Sequence, residues 1–188
     1  MKSVLISIQP GWCKLIALGQ KTVEIRKTKP KLETPFKCYI YCTKGGRGYG
    51  LCKDEFGVGL LHKTNREIAP RYNLEIIDGK VIGEFLCDNI YDITPKTPSK
   101  YECGWNVYED HSRLTFDEMR GYLGDKAGYG WHITDLVIYD KPKELREFVK
   151  YRADWGFRAG IGALTGLDCN EYITRPPQSW MYVEVADE

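Results

Sequence analysis

A chain of 188 residues, 43% apolar and 13% aromatic, suits one domain with a core of its own, and no apolar run reaches the ~18 residues of a membrane span. The formal net charge of +1 hides an asymmetry: residues 1–50 carry ten Lys and Arg against two acids, Glu24 and Glu33, so the excess of acids lies entirely in the rest. A basic first quarter suggests an anionic partner such as nucleic acid or nucleotide, unless the fold intermixes the charges.

Met1-Lys-Ser-Val-Leu-Ile-Ser-Ile8 has no long apolar region of the kind a secretory leader needs, and Val4–Ile8 reads as a first strand. Pro10 suits a helix start, with Trp12, Leu15 and Ile16 on one face and Gly19 at the C-terminal cap. Thr22–Arg26 alternates as a strand, with Val23 and Ile25 on one face and Thr22, Glu24 and Arg26 on the other. Phe36–Thr43 is the next strand. The basic loop Lys44-Gly-Gly-Arg-Gly-Tyr-Gly50 is of a kind that can cradle phosphate, but it lacks both the phosphate-loop pattern and the dinucleotide fingerprint and reads rather as a mobile hairpin tip; no cofactor is expected.

Leu74–Phe85 reads as a hairpin around Asp78-Gly79, and Val81–Ile90 as a long strand in which Glu84 interrupts an apolar row. A strand carboxylate among apolar neighbours needs a partner or a wet cleft. Thr115-Phe-Asp-Glu118 is a capping box opening a helix over 116–123 that ends at Gly124. Trp131–Tyr139 reads as a strand, and Asp140–Glu144 as the start of a helix burying Leu145, Phe148 and Val149. Ser179–Val185 closes the chain as a strand. Six or seven strands, about three short helices and no recurring βαβ unit point to an α+β domain built around a small, mostly antiparallel barrel.

Seven cysteines, an odd number, fit free thiols in a reducing cytoplasm. Cys38, Cys42 and Cys52, with His62 beyond them, are the closest approach to a metal set. Cys38 and Cys42 stand four residues apart on a strand, about 13 Å, too far to share one zinc ion. They read as small buried hydrophobes, and no metal is expected. Trp12 is placed to stack on a base or to staple its helix. Trp105, Trp131 and Trp180 read as core or rim, and His132 as packed or half-exposed, with His62 and His111 in loops. Arg152-Ala-Asp-Trp155-Gly-Phe-Arg158 interleaves aromatic and basic residues as nucleic-acid surfaces do, and as packed loops also do.

The order helix, Gly19-x-Lys21-x-x-Glu24-x-Arg26, strand resembles the ASCH family pattern G-x-K-x-x-E-x-R. Val81–Asp88, Gly130-Trp-His-Ile-Thr-Asp-Leu136 and Arg175-Pro-Pro-Gln-Ser-Trp-Met-Tyr-Val183 fit the same family, in its phage and bacterial form. The resemblance implies a PUA-like barrel over residues 1–188, with irregular elaborations around 95–128 and 150–178. It also implies a cleft that binds RNA or a nucleotide-like ligand, with no membrane involvement. Lys21 and Arg26 then donate to phosphate or base, Glu24 accepts from a base amine, and Trp12 stacks.

One small member of the family is an acetylcytidine amidohydrolase that uses a Lys, a Thr nucleophile and a later-strand Glu. Glu24 stands here in place of that Thr, and a carboxylate does not replace a hydroxyl nucleophile. If the chain is a hydrolase of a modified nucleoside, Lys21 and Glu84 are its proton-transfer residues. A third reading is a protein-interaction module without cleft chemistry.

Overall fold

The computed structural model describes residues 2–45, 49–53, 59–63, 71, 75–93, 105–124, 126–151 and 171–185. The strands are β1 (Ser3–Ile8), β2 (Val23–Arg26), β3 (Phe36–Cys42), β4 (Tyr49–Lys53), β5 (Gly59–Lys63), β6 (Glu75–Ile76), β7 (Val81–Cys87), β8 (Ile90–Ile93), β9 (Gly128–His132), β10 (Thr134–Lys143), β11 (Phe148–Lys150) and β12 (Trp180–Val185). The helices are α1 (Pro10–Ala17), α2 (Trp105–Ser112) and α3 (Phe116–Leu123). No helix among the described residues is long and apolar enough to cross a membrane.

Six strands form one sheet in the order β10-β7-β3-β1-β12-β11, antiparallel except for the parallel β1–β3 pair. β2, β9 and β8 form a second sheet, and β5, β4 and β6 a third. The period of two sorts the large sheet's side chains onto two covered faces. Val4, Ile6, Ile8, Phe36, Cys38, Ile40 and Cys42 join one apolar cluster with Cys13 and Ile16 of α1 and Trp131 of β9. Leu5, Tyr39 and Tyr41 join a second with Phe148, Ile173 and Val183. Cys38 and Cys42 are fully buried in the first, as their spacing on a strand led one to expect; the side chains of Cys52 and His62 lie outside the described residues.

Several elements differ from the sequence reading. The Asp78-Gly79 turn forms, but its arms diverge: β6 pairs with β4, while β7 pairs with β3 and β10. The turn instead docks on the end of β3, where the Gly79 amide donates to the Cys42 carbonyl at 2.7 Å. Val81–Ile90 is broken at Asp88-Asn89, and Trp131–Tyr139 at Ile133. The helix expected after Asp140 is absent. β10 runs on to Lys143, Leu145–Glu147 form one 3-10 turn, and Phe148 and Val149 are buried on β11. Its apolar spacing suits a turn followed by a strand equally well, and pairing with β12 decides between them.

Candidate functional site

Local chemistry places the Gly19–Arg26 motif. Pro10 occupies the first turn of α1, where its missing N–H costs nothing. At the other end Gly19 takes φ +68°, its amide donates to the Ile16 carbonyl at 2.8 Å, and Gln20 N donates to Leu15 O at 2.8 Å. This is a Schellman closure, and glycine is the residue that accepts its left-handed backbone. It reverses the chain so that Lys21 enters the fold and β2 follows at once. The buried stripe of α1 is Pro10, Cys13 and Ile16 rather than Trp12, Leu15 and Ile16; Trp12 is half-buried and lines a cleft.

On β2, Val23 and Ile25 pack with Ile93, Met119 and Leu123, beneath α3. The alternate residues Glu24 and Arg26 are 7% and 6% exposed, and Lys21 is 2% exposed. Ionic groups held this far from water require partners. Glu24 supplies one carboxylate oxygen to each cation: Oε2 lies 3.3 Å from Lys21 Nζ, and Oε1 2.9 Å from Arg26 Nη2. Lys21 also donates to the Ser112 carbonyl at 2.6 Å, and Arg26 Nη2 to the Ser7 carbonyl at 2.6 Å. Arg26 Nη1 reaches Ser179 Oγ only at 3.4 Å, and Arg26 Nε, also buried, has no hydrogen-bond partner among the described residues. Burial pulls the Lys21 ammonium below its usual pKa, with Glu24 acting against that shift. The surface ion pair that a solvated strand face would give is ruled out by this burial.

Lys21, Glu24 and Arg26 line a single cleft of about 540 Å³. Trp12 lines it too, with the Lys21 ammonium 5.1 Å from its ring centroid, within cation–π range. The opposite wall comes from α3 and the loop before it: Leu114, Glu118 and Tyr122. Tyr122 is 39% exposed, and Lys27 Nζ lies 5.1 Å from its ring. Among the described residues lining the cleft, the cations Lys21 and Arg26 are matched by the carboxylates Glu24 and Glu118.

Three of the four ionic residues singled out in the sequence therefore come together, and Glu84 does not join them. It lies on β7, where Oε2 accepts from the Tyr139 hydroxyl and Oε1 is 3.0 Å from Lys37 Nζ, and it is not part of the cleft lining. Burial acts to raise its pKa, but the Tyr139 and Lys37 hydrogen bonds outweigh it and hold the carboxyl below its usual value. Trp131 is core, Trp180 is half-buried against Trp131 and Tyr182, and His132 pairs with Asp88 at 2.7 Å. The side chain of Trp105, the segment with Arg152, Trp155 and Arg158, and residues 46–48 lie outside the described residues.

Sequence reading missed the contribution of α2. Its last turn clamps the motif: Thr22 N donates to His111 O at 2.9 Å, Thr22 Oγ1 bonds His111 Nδ1 at 2.8 Å, and Arg113 Nε donates to Gln20 O at 2.7 Å. A helix C-terminus carries partial negative charge, so the Ser112 carbonyl is a fitting seat for an ammonium. The Thr115–Glu118 capping box was the only local signal in this region, and it forms as read. It also places Tyr122 on the cleft wall.

Among solved structures the chain is similar to an ASCH protein from Zymomonas mobilis, with a TM-score of 0.54 at 17% identity over 97% of this chain and 87% of that one. Two single-residue variants of that protein match alike, at a TM-score of 0.54, one with 17% identity over 97% of this chain and 88% of that one, the other with 18% identity over 98% and 91%. No family model and no curated protein matches the chain. The likeness shows the fold, a mixed α+β architecture, mostly strand with a few short helices, as in that ASCH protein. The mixed α+β class and the mostly antiparallel pairing expected from the sequence are found.

Proposed function

We propose that this chain, folded as ASCH proteins are, acts over residues 1–188 as one RNA- or nucleotide-binding domain whose ligand enters the cleft between α1, β2 and α3. The observation that carries this reading is the buried Lys21–Glu24–Arg26 cluster on the cleft wall, with Arg26 Nε unpartnered among the described residues. A buried donor left without an acceptor costs roughly 1–3 kcal/mol, and a ligand acceptor relieves that cost. Balanced charge suits the polar edge of a base better than a bare phosphate. Glu24 offers an acceptor, Arg26 a fork of donors, and Trp12 and Tyr122 flat surfaces for stacking.

Titration with nucleosides, nucleotides and single-stranded RNA, followed by calorimetry, tests the reading. Binding that weakens in Glu24→Gln and Trp12→Ala while both variants stay folded supports it. A wild-type protein that binds none of the three overturns it. A hydrolase using Lys21 with Glu84 has less support, because Glu84 bonds Lys37 and Tyr139 outside the cleft lining.

A further inference from the structure

Thr43 lines two hollows at once: the cleft, and a groove of about 660 Å³. The groove contains Lys44, Arg146 and Arg175, three exposed cations with no ion-pair partner among the described residues. Its one carboxylate among the described residues, Glu144, lies 3.5 Å from Lys80 Nζ, so part of its charge is already answered. Among the described residues, the cations that no lining carboxylate matches thus lie just beyond Thr43.

Local geometry sets where the chain carries these cations. Gly79 takes φ +90°, a left-handed backbone that favours glycine, and the Lys44 stem lies over this turn, its Cε 2.9 Å from where a Cβ would stand. Arg146 sits in the 3-10 turn closed by Glu144 and Glu147, and Arg175 follows the buried Ile173. A lysine point charge and two planar guanidinium forks, converging on a concave surface, are suited to phosphate oxygens.

We infer that this groove is a phosphate subsite, and that the ligand is an oligonucleotide strand crossing Thr43, with a base in the cleft and the neighbouring backbone against Lys44, Arg146 and Arg175. The inference rests on the cleft reading above. Each hollow alone falls in the range of roughly 300–1,000 Å³ that holds one small-molecule ligand, so the two together exceed what a mononucleotide fills.

The test measures binding of a random-sequence single-stranded RNA octamer, of nucleoside monophosphates and of nucleosides across a salt series. It compares the wild type with the triple variant Lys44→Ala, Arg146→Ala, Arg175→Ala. A control triple, Lys29→Ala, Lys126→Ala, Lys141→Ala, removes the same charge elsewhere. The groove triple is expected to bind the octamer about tenfold more weakly, with a log–log salt slope smaller by about 2, at about 0.7 per lost phosphate contact. It should bind nucleosides as the wild type does, and the control triple should keep the wild-type slope.

A groove triple with unchanged octamer affinity and slope, or one no different from the control triple, overturns the subsite and leaves the cleft reading standing. Octamer binding that needs the groove cations but ignores Glu24→Gln and Trp12→Ala overturns the cleft reading, and with it the path across Thr43. No binding of any probe by the wild type overturns both.

Discussion

The Lys21 ammonium donates to the Ser112 carbonyl at 2.6 Å, joining residues 91 positions apart. With Glu24 on its other side, Lys21 ties the end of α2 to the start of β2. Lys21→Met keeps the apolar stem but leaves Glu24 with one cation and a buried carbonyl without its donor. Breaking a buried ion pair from one side costs about 3–5 kcal/mol. The urea midpoint of Lys21→Met is therefore expected to fall with little change in slope. A midpoint equal to that of the wild type would show that the lysine is not held in this arrangement.

Alkaline pH should destabilise the protein through its buried thiols. Burial keeps Cys13 and Cys38 well above the usual thiol range and pushes Cys87 up to about 12. Above about pH 8.5 the unfolded chain releases these protons and the folded chain holds them, so the unfolded state gains by roughly 1.4 kcal/mol per pH unit for each thiol. That stability is complete below the unfolded pKa and is lost as pH rises towards the folded value. Lys21 acts in the opposite sense: its folded pKa is lowered, so its contribution grows as pH climbs from that value to the unfolded one. Denaturation midpoints followed from neutral to alkaline pH should fall, less steeply in Cys87→Val and more steeply in Lys21→Met. A flat alkaline profile in the wild type would contradict the thiol argument.

Glu84→Gln separates the strand carboxylate from the cleft. It is expected to leave RNA and nucleoside binding unchanged. Its effect should appear in acid, because a carboxyl whose folded pKa is lowered from 4.5 stabilises the fold above that value and loses the effect as pH falls through the lowered one. The stability difference between wild type and variant should shrink towards low pH. A Glu84→Gln protein that has lost ligand binding would place this residue at the site after all.

Gly83→Ala tests the packing of β7 against β10. A Cβ there would stand 2.3 Å from the Val137 carbonyl oxygen and 3.1 Å from Ile138 Cα, both backbone atoms that do not yield as a flexible side chain does. The register of β10 shifts between Thr134 and Val137, beside this close approach. Overpacking of this kind costs about 3 kcal/mol. Thermal unfolding should show a clearly lower midpoint, and a variant as stable as the wild type would refute the close approach.

Tyr122→Ala should weaken base binding by roughly 1–3 kcal/mol, the usual contribution of one stacked aromatic, while Tyr122→Phe should keep it. Equal affinities for wild type and Tyr122→Ala in the same titration would remove Tyr122 from the site.

Much of the fold could be read locally because its signals are local. Pro10, Gly19 and the Thr115–Glu118 box mark helix ends by the hydrogen bonds they make or forgo, and each is found where it was read. The alternation of Val23 and Ile25 with Glu24 and Arg26 marks two faces of β2, and the fold packs the first pair on Met119 and Leu123 and turns the ionic pair to the cleft. What escaped depends on distant partners. Nothing near Ser112 announces that its carbonyl receives Lys21, and the spacing of Leu145, Phe148 and Val149 does not exclude a helix until β12 pairs with β11. Glu84 needed a partner, as its apolar neighbours implied, but only folding decides that the partner is Lys37 and not Lys21. Charge counting found the basic first quarter, yet the spare cations of the groove, Arg146 and Arg175, lie outside it.

β1 runs between β3 and β12, matching Ser3 with Val183 and Val4 with Cys38. During synthesis the ribosome releases one flank of this strand early and the other only after almost everything else described has emerged. Until then a strand with four aliphatic residues, Val4, Leu5, Ile6 and Ile8, keeps one edge open to the solvent, a template for mispairing with any nascent neighbour. Slow translation or starvation for an amino acid near the 180s would lengthen that exposure, so soluble yield should depend more on codon choice there than in β2 or α3.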